Sequence, residues 1–219
     1  MAKYSTKGYH WLTKTELESL EEKLKDYDNL KIYTDGSSWV ATGAGGYAVV
    51  FVDDENNEIH HIKGGFHKTT NNRMELFALL ISGQVINYFI DKNIIVYSDS
   101  EYSINTLIGR FKGKANPDLL VMCKDLNWKV PYDRIKKVKG HSGDFGNDLA
   151  DRYCGEARIS IEEAIRVNKK TISEKELNER IAELEATIVE LIKSKKELKQ
   201  QIIEIGELDL EQQILIKNL

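Results

Sequence analysis

The chain has 219 residues, 41% of them hydrophobic, which suits one ordinary packed domain with extensions or two small domains. No apolar run approaches membrane-spanning length and residues 1–7 hold no apolar leader, so no membrane association and a cytoplasmic, intracellular protein are expected. The net charge of −4 excludes a uniformly basic nucleic-acid binder. Of 35 acidic and 31 basic residues, 11 and 7 lie from Glu174 onward, which leaves a balanced 24 of each over positions 1–173 and an acidic tail.

Residues 1–30 form an N-terminal extension in which Thr13-Lys14-Thr15-Glu16 is a capping box. Leu17, Leu20 and Leu24 follow at helical spacing, giving a short amphipathic helix. Tyr4, Tyr9, His10 and Trp11 beside Lys3, Lys7 and Lys14 suit either packing on the fold or stacking on nucleic acid. From Lys31 the pattern becomes β, with strands expected at 31–35, 46–52 and 58–65 and a turn at 53–57. Three antiparallel strands in a meander fit. A helix is expected over 72–89, where Met74, Phe77, Leu80, Ile81 and Val85 share one face. Ile94-Ile95-Val96-Tyr97 reads as a buried strand, followed by helices at 100–108 and 118–126, a strand at 135–139 and a helix from about 146. Cys123 and Cys154 lie far apart in apolar helical segments and read as buried free thiols.

Past a linker at 167–173, residues 174–219 form a helical tail. Ser173-Glu174-Lys175-Glu176 is a second capping box, and Leu177, Leu184, Leu191, Leu198 and Ile205 then recur every seven residues. Ile181, Ile188, Lys195 and Ile202 occupy the alternate seam positions, the pattern of a two-stranded parallel coiled coil. Gly206 interrupts the repeat and Asp209 suits the cap of a short last helix, which allows a hairpin folded back on the long helix instead. Three arrangements stay open for 174–219: a homodimer, the hairpin, and docking on a protein partner.

The chemistry lies in four acids, each in its own motif: Asp35 in Thr34-Asp35-Gly36-Ser37, Glu75 in Asn71-Asn72-Arg73-Met74-Glu75, Asp99 in Ser98-Asp99-Ser100, and Asp151 in Asn147-Asp148-Leu149-Ala150-Asp151. Taken singly, each reads equally as a turn, a cap or a solvated helix residue. Together they form a set of hard oxygen donors without a Cys/His ligand set, which suits Mg²⁺ or Mn²⁺ and suits Zn²⁺ poorly. Ligands of α/β sheets collect at the carboxyl ends of strands where strand order reverses. Asp35 and Asp99 both end expected strands, while Glu75 and Asp151 lie one or two turns into helices. Four elements can therefore aim acids at one spot, where their repulsion calls for cations.

These motifs in this order, over about 29–158, closely resemble the ribonuclease HI family, including Gly140-His141-Ser142-Gly143 ten positions ahead of Asp151, which is similar to its mobile histidine loop. The resemblance implies an α/β ribonuclease H-like fold over 31–166: a mixed five-stranded sheet in the order βββαβαβα, with one intervening helix and flanking helices. It implies an endonuclease that cuts the RNA strand of RNA–DNA hybrids with two Mg²⁺ ions, Mn²⁺ being a possible substitute. One ion would orient the attacking water and the other steady the departing 3′-oxygen, leaving 5′-phosphate and 3′-hydroxyl ends. Asp35, Glu75, Asp99 and Asp151 would hold the metals. Asp151 is preferred to Asp148 by its ten-residue distance from His141, with Asp148 one turn earlier as a supporting acid. His141 would ferry protons or help product leave, the alternative being a surface histidine without a role.

Discrimination between RNA and DNA requires reading the 2′-hydroxyl. By resemblance, Asn71 and Asn72 reach the minor groove of the hybrid, unless they only cap the helix. Gly36, Ser37 and Ser38 line the RNA strand, and Lys68 and Thr70 match positions that hold a DNA-strand phosphate. Two departures stand out. Glu101 occupies a position where the family commonly has Gln. The segment between Asp99 and His141 is also too short for a basic protrusion, leaving Arg110, Lys112, Lys114, Arg134, Lys136, Lys137 and Lys139. Complete sets of acids and histidine argue against a catalytically dead hybrid-binding module, and the Asn-Asn-Arg-Met-Glu run argues against a DNA-cutting integrase or resolvase relative.

Overall fold

A computed structural model describes residues 9–111, 115–127, 132–140 and 142–217. Two compact units divide the chain, residues 1–165 and 166–219. In the first, helix α1 (Lys14–Leu24) opens on the expected capping box: Glu16 N–H donates to the Thr13 hydroxyl and the Glu16 carboxylate accepts from Thr13 N–H at 2.7 Å. Its Leu17, Leu20 and Leu24 are buried.

Strands β1 (Asn29–Trp39), β2 (Ala44–Val52) and β3 (Glu58–Phe66) form the antiparallel meander. After helix α2 (Asn71–Tyr88), strand β4 (Asn93–Ser98) joins β1 in parallel, and β5 (Ile135–Lys137) joins β4 in parallel. Helices α3 (Glu101–Leu107) and α4 (Pro117–Asp125) and a 3₁₀ turn at Tyr132–Arg134 lie between β4 and β5, so α4 is the one helix added to the βββαβαβα order, as expected. The sheet order is β3-β2-β1-β4-β5, a mixed five-stranded sheet.

The central strands are buried on both faces, which is why β2 reads as a nearly unbroken apolar run. Leu30, Ile32, Val49 and Phe51 join the large core with Phe77, Leu80 and Ile81 of α2. Tyr33, Val50 and Val52 point the other way and pack with Leu149 and Ala150 of helix α5 (Phe145–Lys217). This alternation is the period of two expected of a strand between two layers.

Two boundaries differ from the sequence reading. β1 does not end at Asp35 but continues to Trp39, because Gly45 and Gly46 of β2 pair with Ser38 and Ser37 and carry the antiparallel ladder onward. The helix α5 is unbroken through 167–173, Gly206 and Asp209, so the break expected at Gly206 is absent. A single glycine costs about 1 kcal/mol in a helix, which does not end one that both flanks favour. Among the described residues no helix is long and apolar enough to cross a membrane.

The aromatic cluster near the N-terminus packs on the fold where it is described. Tyr9 stacks on Phe66 at 4.3 Å and meets Phe77 edge-on at 4.9 Å. Its hydroxyl lies 2.9 Å from that of Thr69 and accepts from Arg73 Nε at 3.2 Å.

Candidate active site

Thr34↔Ser98 is the last pair of the parallel β1–β4 ladder, so Asp35 and Asp99 occupy the next step of the register, where the two strands part. Asp35 is 8% exposed. Its Oδ1 accepts the Gly36 N–H at 2.7 Å. Burial is the chief force that pushes its carboxyl up to about 7, followed by the charge of Asp99; the charges of Asp151 and Glu75 add to it, against the Gly36 N–H. All three other sequence-marked acids thus act electrostatically on Asp35.

Glu75 reaches this spot because β1 and α2 meet without a side chain between them. A Cβ on Gly36 would stand 2.2 Å from the Glu75 backbone nitrogen, so glycine is required for the approach. The Glu75 carboxylate is held at both ends: Asn71 Nδ2 donates to Oε1 at 2.6 Å, and the Ser100 hydroxyl donates to Oε2 at 2.5 Å. Burial raises its pKa, the Ser100 hydroxyl lowers it, and the charge of Asp99 raises it again. Ser100 is also the N-cap of α3, accepting from Ser103 N–H at 3.1 Å. Ser100 opens the helix expected at 100–108; its service to Glu75 depends on α2, 25 residues away.

Asp151 arrives on the second turn of α5. Its carboxylate, that of Asp35 and the Cys154 thiol have ligand atoms within 4.8 Å of one another. Asp148 is not in this group. The Cys154 Sγ lies 3.6 Å from Asp35 Oδ2 and 3.1 Å from the Asp151 carbonyl. Burial, and then the neighbouring carboxylates, push this thiol far up, so it stands protonated beside the acids. The site offers carboxylate oxygens and no thiolate, a donor set that fits Mg²⁺ or Mn²⁺.

His141 lies outside the described residues, as do Lys112 and Lys114. Gly140 does not: a Cβ there would fall 2.5 Å from Asp99 Oδ2, so the chain passes against the acid cluster just before the histidine.

The sequence-marked substrate residues flank the acids. Gly36, Ser37 and Ser38 continue β1 past Asp35, and the Ser37 hydroxyl accepts from Arg158 Nε of α5 at 3.1 Å. Lys68, with φ of 55°, and Thr70 are exposed ahead of α2. Asn71 and Asn72 are exposed on its first turn. Thr70, not an asparagine, is the N-cap, and its side chain makes no capping bond. The capping alternative for the asparagines is therefore not the one adopted, and Asn71 holds Glu75 instead.

Arg73, between these polar residues and Glu75, is 1% exposed. It forms an ion pair with Asp118 of α4 and also donates to Asn116 Oδ1 at 3.2 Å. Glu101, the departure that adds negative charge, is met by Lys137 Nζ at 3.0 Å.

The profile of the RNase H family matches residues 27–159. Ribonuclease H of Rippkaea orientalis is 34% identical over 137 residues, 56% of this chain and 81% of that protein. Ribonuclease HI of Campylobacter jejuni is 34% identical over 150 residues, 61% of this chain and 93% of that protein. Two solved structures share the fold: the N-terminal RNase H domain of a Mycobacterium tuberculosis protein (TM-score 0.51, 22% identity, 63% of this chain and 98% of that one) and an RNase H1 isolated from compost (TM-score 0.50, 24% identity, 61% and 98%). With the profile spanning more than half of its length, and with the two relatives covered over 81% and 93% of theirs, this chain belongs to the RNase H family.

Proposed function

We propose that this protein is a hybrid-specific endoribonuclease whose catalytic part is residues 31–166, hydrolysing the RNA strand of RNA–DNA hybrids to leave 5′-phosphate and 3′-hydroxyl ends. The observation that carries this reading is the meeting of acids from β1, α2 and α5 within the residues that match the RNase H family, with Asp35 buried among them, a site built for positive charge. Asp35, Glu75, Asp99 and Asp151 would hold two Mg²⁺ ions, with Mn²⁺ as a substitute. When bound, such ions lower the pKa of the attacking water and offset charge on the departing 3′-oxygen.

The chain's own residues do the rest. Ser100 and Asn71 fix the Glu75 carboxylate from both sides, so that it does not swing when the charge around it changes. His141, next to a glycine that touches Asp99, is placed by sequence to take or give a proton as the product leaves. Asn71 and Asn72 read the hybrid's minor groove, Gly36, Ser37 and Ser38 follow the RNA strand, and Lys68 and Thr70 hold a phosphate of the DNA strand. Support for these roles comes from their position around the acids and from the family's chemistry.

The test is cleavage of an end-labelled RNA–DNA hybrid beside matched duplex DNA and single-stranded RNA, with Mg²⁺ or with EDTA. Cutting of the hybrid's RNA strand alone, abolished by EDTA, is the expected result. Equal cutting of duplex DNA, or cutting that survives EDTA, overturns the proposal.

A further inference from the structure

The second unit leaves an apolar stripe uncovered. Leu177, Leu184, Leu191 and Leu198 fall on one line of α5, and Ile181, Ile188 and Ile202 on the adjoining line; in the single chain these seven side chains are between 45% and 68% exposed. A long helix in water takes most of its stability from packing an apolar face, and no described residue of this unit packs over this one. The ion pairs Lys175–Glu179 at 3.7 Å and Lys193–Glu197 at 4.0 Å lie off the stripe, so its flanks are finished as a solvated surface while the stripe is not.

We infer that this stripe is the seam of a parallel two-stranded coiled coil with a second copy of this chain. Three features select that occupant. β-Branched Ile on one seam line (position a of the heptad) and Leu on the other (position d) is the combination that favours two parallel strands over three or four. Lys195 falls on the a line, where a single charged residue fixes register and opposes higher assembly, because two long side chains can reach water from a dimer seam but not from a tetramer core. Arg180 and Glu185 take the flanking g and e positions, which places each opposite the other across a parallel pair of identical chains. Among the described residues Arg180 pairs with its own chain's Glu183, at 2.7 Å on the exposed surface, a weak pair that leaves it available. A helical hairpin is the poorer occupant, since α5 shows no turn on which to fold back.

Sedimentation equilibrium of the full-length chain at micromolar concentration tests the inference. The expected mass is twice the 25.1 kDa of one chain. A monomer, a trimer or a tetramer overturns it. Arg180→Glu changes only a surface charge and leaves folding intact; it is expected to weaken the dimer several-fold, and Arg180→Glu with Glu185→Arg to restore it. No weakening by the single change overturns the register. Leu177→Cys reports direction: near one end of the seam, it forms an interchain disulfide under mild oxidation only if the strands run parallel. A dimer that does not crosslink there overturns the parallel arrangement.

Discussion

Asp35 and Asp99 stand side by side at the first register step beyond Thr34↔Ser98, where the β1–β4 ladder has ended and the Asp99 charge bears on the buried Asp35 carboxyl. A folded-state pKa raised from 3.8 to about 7 has a definite sign. Folding favours the protonated acid, so this contribution is complete below about pH 4 and is lost as pH rises to about 7; Glu75, also raised, acts in the same direction. In EDTA the protein is therefore expected to melt at progressively lower temperature from pH 5 to pH 8. Asp35→Asn should remove most of that decline and stabilise the metal-free protein at pH 8 by on the order of 2–4 kcal/mol. Thermal melts of the two proteins across this range decide it: parallel pH profiles would show that Asp35 carries no such load.

The same substitution has the opposite consequence for catalysis. Asp35→Asn keeps the shape and removes a charge from the proposed metal site, and is expected to lower hybrid cleavage by more than roughly a hundredfold, since even residues that merely orient a ligand cost about 10–100-fold. Asp151→Asn should behave alike. Asp148→Asn should stay within a few-fold of wild type, because Asp148 is not in the group formed by Asp35, Asp151 and Cys154. Initial rates at several Mg²⁺ concentrations check both, and a dead Asp148→Asn beside an active Asp151→Asn would reverse the assignment.

Ser100→Ala tests the support beneath Glu75. Losing the 2.5 Å bond to Oε2 is expected to weaken Mg²⁺ by about tenfold, while the loss of the α3 cap lowers the melting temperature by about 2–4 °C. Calorimetric titration of the metal is the direct readout. An unchanged affinity would mean that Asn71 alone orients the carboxylate.

His141→Ala should slow turnover without ending it, because the four acids remain, and should leave metal affinity unaltered. Steady-state rates against a single-turnover burst separate product release from chemistry. Total loss of the burst in a folded protein would assign His141 a larger role than proton transfer or release.

The Arg73–Asp118 pair predicts a stability effect away from the acids. Both side chains are buried, at 1% and 8% exposure, so Asp118→Ala strands a guanidinium between α2 and α4. The expected loss is about 3–5 kcal/mol, read from urea denaturation. A loss below about 1 kcal/mol would indicate that Tyr9 and Asn116 suffice to hold Arg73.

Much of this was legible in the sequence because it is local. The capping box at Thr13, the apolar face of α2 and the double-sided burial of β2 each follow from a dozen neighbouring residues, and so do the position of Asp99 just past β4 and those of Glu75 and Asp151 early in helices. What escaped depends on distant partners. Thr34-Asp35-Gly36-Ser37 has the composition of a turn, and only the β2 backbone facing it keeps β1 extended to Trp39. Arg73 reads as one more surface charge until Asp118 is brought to it across 45 residues. The bond from Ser100 to Glu75 and the thiol of Cys154 beside Asp35 are likewise products of packing between layers.

The acid cluster draws Asp35 from β1 and Asp151 from α5, and it is complete only when both layers have closed on the sheet. Contacts of such long sequence separation form late, after the loop-closure entropy between them has been met. A chain emerging from the ribosome is then inert through β1, α2 and β4 and gains its full set of acids only once the start of α5 is clear of the exit tunnel. Hybrid cleavage becomes a stringent report of complete folding, since a partly folded chain can keep most of its secondary structure and still lack one corner of the site.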